Sequence, residues 1–229
     1  MEGQSLSHGE ISLAHLGVLF LDELPEFNSN TLESLREPLE NNLIKINRMY
    51  SSVSYPCNFM LIASMNPCPC GYYGSNRKEC RCKPYQIRNY INRVSGPLLD
   101  RIDIHIEVNE VKYDDLNSKQ KPETSETIRQ RVNQARELQL WRYKKYNIFS
   151  NSELDAKMIE KFCKLDTNSQ KLLKEAFEKL DLSARAYTRI LKVARTIADL
   201  ECTENIREGH ILEAIHYRSL DRKYRYNKT

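Results

Sequence analysis

The stretch Gly17-Val18-Leu19-Phe20-Leu21-Asp22-Glu23 decides the fold. Its apolar run does not alternate with polar residues, so it reads as a strand covered on both faces, as in a parallel sheet. Such a strand delivers its last residues to the carboxyl edge of the sheet, where ligands bind in open α/β folds. Here those residues are two acids. The run has the form of a Walker B element, in which Asp22 would hold the Mg²⁺ of a bound nucleotide. Glu23 would then polarise an attacking water as general base. A plain buried strand ending in two solvated acids has the same sequence pattern.

Downstream, Pro25 and Asn28-Ser29-Asn30 break the chain, and Leu32, Leu35 and Leu39 recur at helical spacing over 31–39. Ile44–Asn47 and Val53–Tyr55 alternate and predict a β-hairpin whose tip carries Arg48, Met49 and Tyr50. Phe59–Met65 reads as a second buried strand, stopped at Asn66-Pro67. A short helix is expected over 85–94. A third strand is expected over 102–108, where Ile102, Ile104, Ile106 and Val108 alternate with polar residues. From residue 111 the character changes. Residues 111–123 are polar, contain Pro122 and read as a linker. Helical patterns alone follow, at about 125–146, 152–162, 168–180, 184–201 and 207–218. The expected organisation is an α/β part over 1–110, a linker, an α-helical part over 124–220 and a tail.

The composition fits this picture. The chain has 229 residues, 40% hydrophobic and 29% charged, which suits one or two globular domains rather than a disordered chain. No apolar run approaches the roughly 18 residues of a membrane helix. The first residues lack the basic and apolar regions of a signal peptide. A cytoplasmic protein is expected. Seven glycines are present, and no two stand five apart before a Lys, so these residues contain no phosphate-cradling loop of the G-x4-G-K-[ST] form. Charge is polarised. Residues 1–40 carry one basic and eight acidic residues, whereas 41–101 carry nine basic and two acidic. A basic middle suits phosphate, from nucleotide or nucleic acid, or simply a solvated face.

Four of the seven cysteines fall within 68–82. Cys68-x-Cys70 and Cys80-x-Cys82 can supply four thiolates to a tetrahedral Zn²⁺, or stand as reduced thiols in a turn-rich loop. Arg77 and Lys78 in that loop, with Tyr72 and Tyr73, suit a nucleic-acid contact or a subunit contact. Arg48 and Tyr50 at the hairpin tip are a second such pair. Asn66, at the end of the second strand, could reach a γ-phosphate or its attacking water, or merely cap a turn. Cys57, Cys163, Cys202, Trp141 and Tyr143 are expected in packed positions.

Several stretches together resemble one family: Gly9-Glu10-Ile11-Ser12-Leu13-Ala14-His15 through Phe27, Ala63 through Gly71, Ser95-Gly96-Pro97-Leu98-Leu99-Asp100-Arg101-Ile102-Asp103, and Ser183-Ala184-Arg185-Ala186 through Leu200. They resemble the magnesium-chelatase-like AAA+ ATPases of the YifB and ComM type over essentially the whole chain. The resemblance implies a partial AAA+ P-loop-type core without its Walker A strand, a zinc-finger-like insertion and an all-α lid. It implies ATP and Mg²⁺ as cofactors, with Asn66 as sensor 1, Arg101 as an arginine finger acting on a neighbouring subunit, and Arg185 as sensor 2. The hairpin tip would face a central pore. It further implies a homohexameric ring that remodels DNA, and a longer parent with a Lon-protease-like amino-terminal domain, of which this is the carboxy-terminal portion. Two other readings stay open: a motor for metal insertion into a porphyrin, and a non-enzymatic zinc- and DNA-binding or assembly module.

Overall fold

A computed structural model of the chain describes residues 9–48, 51–108, 122–180 and 182–218, with only the backbone of 47, 48 and 51. The chain divides into two compact units, one reaching Ile102 and the other beginning at Asp103. The expected linker lies outside the described residues except for Pro122 and Glu123, as does the tail.

The first unit is mixed α/β. A single turn, α1 (Glu10–Leu13), leads into β1 (Val18–Leu21). A 3-10 turn at Leu24–Glu26 follows, then α2 (Ser29–Ser34) and α3 (Arg36–Asn41). The Asn28 side chain opens α2 by accepting from the Thr31 N–H at 2.7 Å. The helix expected over 31–39 is thus two short helices that meet at Leu35. β2 (Leu43–Arg48) and β3 (Ser51–Pro56) form the antiparallel hairpin, from Leu43 opposite Pro56 to Arg48 opposite Ser51. β4 (Met60–Ala63) returns beside β1 as its parallel partner. The cysteine loop then leads into α4 (Pro84–Ile91) and α5 (Gly96–Leu99).

The parallel pair is covered on one face only. Leu19 and Leu21 pack against a cluster of Leu24, Leu32, Leu35, Val94 and Leu98. On the other face Val18, Phe20, Met60 and Ile62 are exposed, Phe20 to 60%. The apolar run therefore predicts the strand and its parallel pairing correctly, but not full burial. The second cover that a parallel sheet requires is not among the described residues. The third expected strand is also absent from the described residues. Residues 104–108 have no regular secondary structure and no ladder partner among the described residues, and Val108 is 86% exposed. Alternation alone makes a strand only where a neighbour accepts its hydrogen bonds. Here the His105 N–H goes to the Tyr217 carbonyl at 2.9 Å.

The second unit is helical: α6 (Ser125–Tyr143), α7 (Ala156–Phe162), α8 (Thr167–Lys179), α9 (Ala184–Leu200) and α10 (Glu208–His216). Four of these open on a side-chain cap, from Thr124, Asp155, Asp166 and Ser183. The central α9 packs against α6, α7 and α10, burying Ile190, Leu191, Ala194 and Ile197 among Tyr143, Ile159, Leu173 and Ile211. Trp141, expected to pack, is 80% exposed, and Cys202 is exposed just beyond the end of α9.

One carboxylate organises this bundle. Asp199 is fully buried. It accepts from Arg142 at 2.5 and 2.9 Å, from Arg195 Nε at 3.1 Å, from Asn151 at 2.9 Å and from Gln139 at 3.3 Å. Asn151 in turn accepts from the Tyr143 hydroxyl at 2.6 Å. Removing the carboxylate leaves two guanidinium groups facing each other in the core. Asp199→Ala is expected to lower unfolding free energy by about 3–5 kcal/mol, read by urea denaturation followed at the helical circular-dichroism signal. A loss below about 1 kcal/mol would mean the network is a surface-grade interaction.

Candidate functional site

The carboxyl ends of β1 and β4 lie level, Leu21 opposite Ala63. The pairing continues one residue past both strands. The Ser64 N–H donates to the Leu21 carbonyl at 2.9 Å, and the Ser64 carbonyl accepts from the Leu24 N–H at 2.9 Å. Between these two bonds the chain makes a tight corner that presents Asp22 and Glu23. Glu23 sits in the left-handed region, at φ 51° and ψ 50°. A non-glycine residue there is strained by about 1–2 kcal/mol, and such strain concentrates at functional sites.

The polar groups at this corner are sorted into held and free. Asp22 Oδ1 accepts from its neighbour's N–H at 3.0 Å and from the Ser64 hydroxyl. Asp22 Oδ2, the Glu23 carboxylate and the Asn66 side chain make no hydrogen bond to another described residue, and all three residues are exposed. Tyr90 of α4 is buried against the same edge. Burial pushes its phenol above the usual range, the Asn66 backbone N–H pulls it down, and the Glu26 and Glu23 carboxylates raise it further. Glu23, Asn66 and Tyr90 therefore share one neighbourhood. Arg93 secures it from behind, donating to Glu26 at 2.9 Å and to the Pro25 carbonyl at 3.3 Å.

Two residues beyond Asn66 the cysteine loop begins. The sulfurs of Cys68, Cys70, Cys80 and Cys82 all lie within 4.8 Å of one another. Cys68 is 3.3 Å from Cys70 and 3.7 Å from Cys80, and Cys70 is 3.6 Å from Cys80. A tetrahedron of thiolates about 2.3 Å from a Zn²⁺ has edges of about 3.8 Å, so this donor set fits that ion. The Tyr73 N–H donates to Cys68 Sγ at 3.4 Å. The Tyr72 backbone N–H is the main cause that lowers the Cys70 thiol to about 6, whereas burial and the neighbouring sulfurs push Cys82 up to about 12. The apolar side of the cluster is Ile87, Tyr90 and Ile91 of α4. The same helix thus supports the cysteines and the Asn66 edge.

Sequence comparison assigns the family. The model described as "Magnesium chelatase, subunit ChlI" matches residues 2–116, and the one described as "Magnesium chelatase, subunit ChlI C-terminal" matches residues 122–218. The chain belongs to the magnesium chelatase ChlI family. Among curated relatives, "Competence protein ComM" of Haemophilus influenzae is 47% identical over 215 residues, 93% of this chain and 41% of the relative. "Uncharacterized protein YifB" of Escherichia coli is 46% identical over the same shares. "Uncharacterized protein Rv2897c" of Mycobacterium tuberculosis is 34% identical over 84% of this chain and 38% of its own length. The chain spans about two-fifths of the length of the curated relatives it matches.

The other sequence-derived site residues of this ChlI-family chain lie on segments other than β1 and β4. Arg101 is buried, its side chain 6% exposed. It is engaged within its own unit, donating to the Glu40 carboxylate and to the Pro97 carbonyl at 2.7 Å. Its Nε has no acceptor among the described residues. Arg185 is exposed near the start of α9, in the second unit. Arg48 ends β2, and Tyr50 lies outside the described residues. Arg77 is exposed in the cysteine loop, and Lys78 lies over the Tyr72 ring at 4.4 Å, also donating to its hydroxyl at 3.3 Å. Sequence reasoning missed Ser64, Tyr90 and Glu40. None has a motif of its own, and only Ser64 left a trace, a hydroxyl in register with the acids of the partner strand.

Metal binding by the four cysteines is directly testable. Thiolate ligands must lose their protons to bind, so affinity rises with pH. Co²⁺ added to the reduced chain is expected to give the absorption bands of a tetrahedral four-thiolate site at one equivalent, displaced by Zn²⁺. Half-saturation is expected at a concentration about tenfold or more higher at pH 6 than at pH 8. Cys80→Ser should remove the four-thiolate spectrum. Saturation at other than one equivalent, or an unchanged spectrum in Cys80→Ser, would rule this site out.

Proposed function

We propose that this chain supplies the metal- and water-handling side of an ATP-hydrolysing site in a ring-forming protein that remodels DNA. The observation that carries the reading is the corner itself. Two carboxylates and an amide follow the level carboxyl ends of a parallel pair, and Asp22 Oδ2, the Glu23 carboxylate and the Asn66 side chain have no hydrogen-bond partner among the described residues. Open α/β sheets bind nucleotides at such an edge.

In this reading Asp22 holds Mg²⁺ of the bound nucleotide through Oδ2. Glu23 would accept the proton of the attacking water as that water adds to the γ-phosphorus and the bond to the β–γ bridging oxygen breaks, ADP leaving with that oxygen. Asn66 orients the water or the γ-phosphate by hydrogen bonding. The phosphate-cradling loop comes from outside these residues, since no glycine pair here has the required spacing. Arg185 closes on the phosphates from the helical unit. Arg101 acts on a neighbouring subunit's nucleotide after exchanging Glu40 for phosphate. Zn²⁺ at the four cysteines shapes the loop that carries Arg77 and Lys78. DNA as the substrate rests on those basic residues, on Arg48 and Tyr50 of the hairpin, and on the word "competence" in the name of one relative.

The test joins residues 1–229 to a phosphate-loop half of the same family and follows phosphate release with and without forked DNA. DNA is expected to stimulate turnover. Glu23→Gln is expected to reduce turnover by about 10²–10⁴-fold while ATP still binds. Turnover unchanged in Glu23→Gln would remove the general-base role. Hydrolysis indifferent to DNA but raised by a porphyrin would instead favour a metal-insertion motor.

A further inference from the structure

The Ser64 side chain has a place in this site that no motif assigns. Ser64 follows the last residue of β4 and bonds to four consecutive residues, 21–24, at the end of β1. Its N–H holds Leu21 and its carbonyl holds Leu24, each at 2.9 Å. Its hydroxyl donates to Asp22 Oδ1 and accepts from the Glu23 N–H at 3.4 Å. The two backbone bonds would form with any residue other than proline. The two hydroxyl bonds are specific to this side chain.

Their effect is geometric. A carboxylate on an exposed strand end rotates about χ2 and presents either oxygen to a cation. With the Ser64 O–H and the Glu23 N–H both directed at Oδ1, that oxygen is occupied and the rotation is stopped. Oδ2 is left as the oxygen without a protein partner among the described residues. The same hydroxyl sits beneath the Glu23 N–H where the backbone enters its left-handed conformation. One side chain thereby sets the orientation of one acid and the backbone of the next.

We propose that Ser64 is a positioning residue for divalent-cation binding by Asp22, presenting Oδ2 to the metal and holding Oδ1 away from it. The inference rests on the ATP-hydrolysing reading above. The hydroxyl is exposed and contributes little to folding, since water competes for its bonds. Its contribution is pre-organisation of the carboxylate, which a metal otherwise has to impose on binding.

The test uses the joined polypeptide described above and follows one Mg²⁺ titration in two ways, by the heat of Mg²⁺ binding with a non-hydrolysable ATP analogue present and by ATP hydrolysis. Ser64→Ala is expected to raise the half-saturating Mg²⁺ concentration about tenfold with a smaller change in the rate at saturating Mg²⁺. Ser64→Thr keeps the hydroxyl and is expected to return the midpoint to within about twofold of the parent. Thermal unfolding of both variants should match the parent, separating positioning from damage to the fold. Asp22→Asn should abolish Mg²⁺-dependent turnover. An unchanged Mg²⁺ midpoint in Ser64→Ala, beside an inactive Asp22→Asn, overturns the role of Ser64 and leaves the site standing. So does a Ser64→Thr variant as impaired as Ser64→Ala. A parent with no Mg²⁺-dependent hydrolysis overturns the underlying reading, and this proposal with it.

Discussion

The parallel pairing of β1 with β4 is the constraint on which the candidate site depends. Val18 to Leu21 run beside Met60 to Ala63 without a bulge, so the two strand ends arrive level. Level ends bring Asp22 and Glu23 to the height of Ser64 and put Asn66 two residues beyond. A slip of one residue would turn the covered leucines, Leu19 and Leu21, to the open face and carry the acids to a different neighbour. The cluster around Leu24, Leu32, Leu35, Val94 and Leu98 receives those leucines and so holds the register. Packing on one face of a four-residue strand thus decides which polar groups meet at its end. The left-handed turn at Glu23 is held by the same bonds, because Ser64 grips the chain on both sides of it.

The cysteine loop meets this edge through α4. Its apolar side chains are few, and it is short and rich in turns. Such a loop has little apolar area with which to offset the entropy of ordering its backbone. Four thiolates closing on one ion would supply that order, since metal-binding free energy becomes folding free energy where the ligands come together only in the folded chain. Ile87, Tyr90 and Ile91 put this cluster and the Asn66 backbone on one helix. Order in the loop and order at the strand end are therefore physically connected through Tyr90.

The helical unit solves a different problem. Asp199 lies among apolar residues and survives there because two arginines and two amides satisfy its oxygens. A buried charge so fully bonded specifies one arrangement of α6, α9 and the Asn151–Glu153 turn, since any other leaves a charge unpaired. The ion pair between Arg189 and Asp103 and the bond from His105 to Tyr217 tie the entering segment to the same bundle. That use of residues 103–105 explains why their alternating pattern makes no strand.

By itself the sequence determined the kinds of element and their order. The unbroken run at 18–21 announced a parallel strand, the run ahead of Asn66-Pro67 announced its partner, and helical periodicity announced the bundle. The family was legible too, because motifs such as Asp22-Glu23 and Asn66-Pro67 are local in the chain. The four cysteines were legible as a donor set because ligand spacing is also local. Tertiary structure alone decided what those elements meet. Ser64 reaches Asp22 across 42 positions, Arg101 reaches Glu40 across 61, and Asp199 gathers partners from three elements. It alone showed that Phe20 and Trp141 are exposed and that residues 102–108 lack a partner strand. Periodicity reports which residues can share a face, and only packing decides whether anything covers that face.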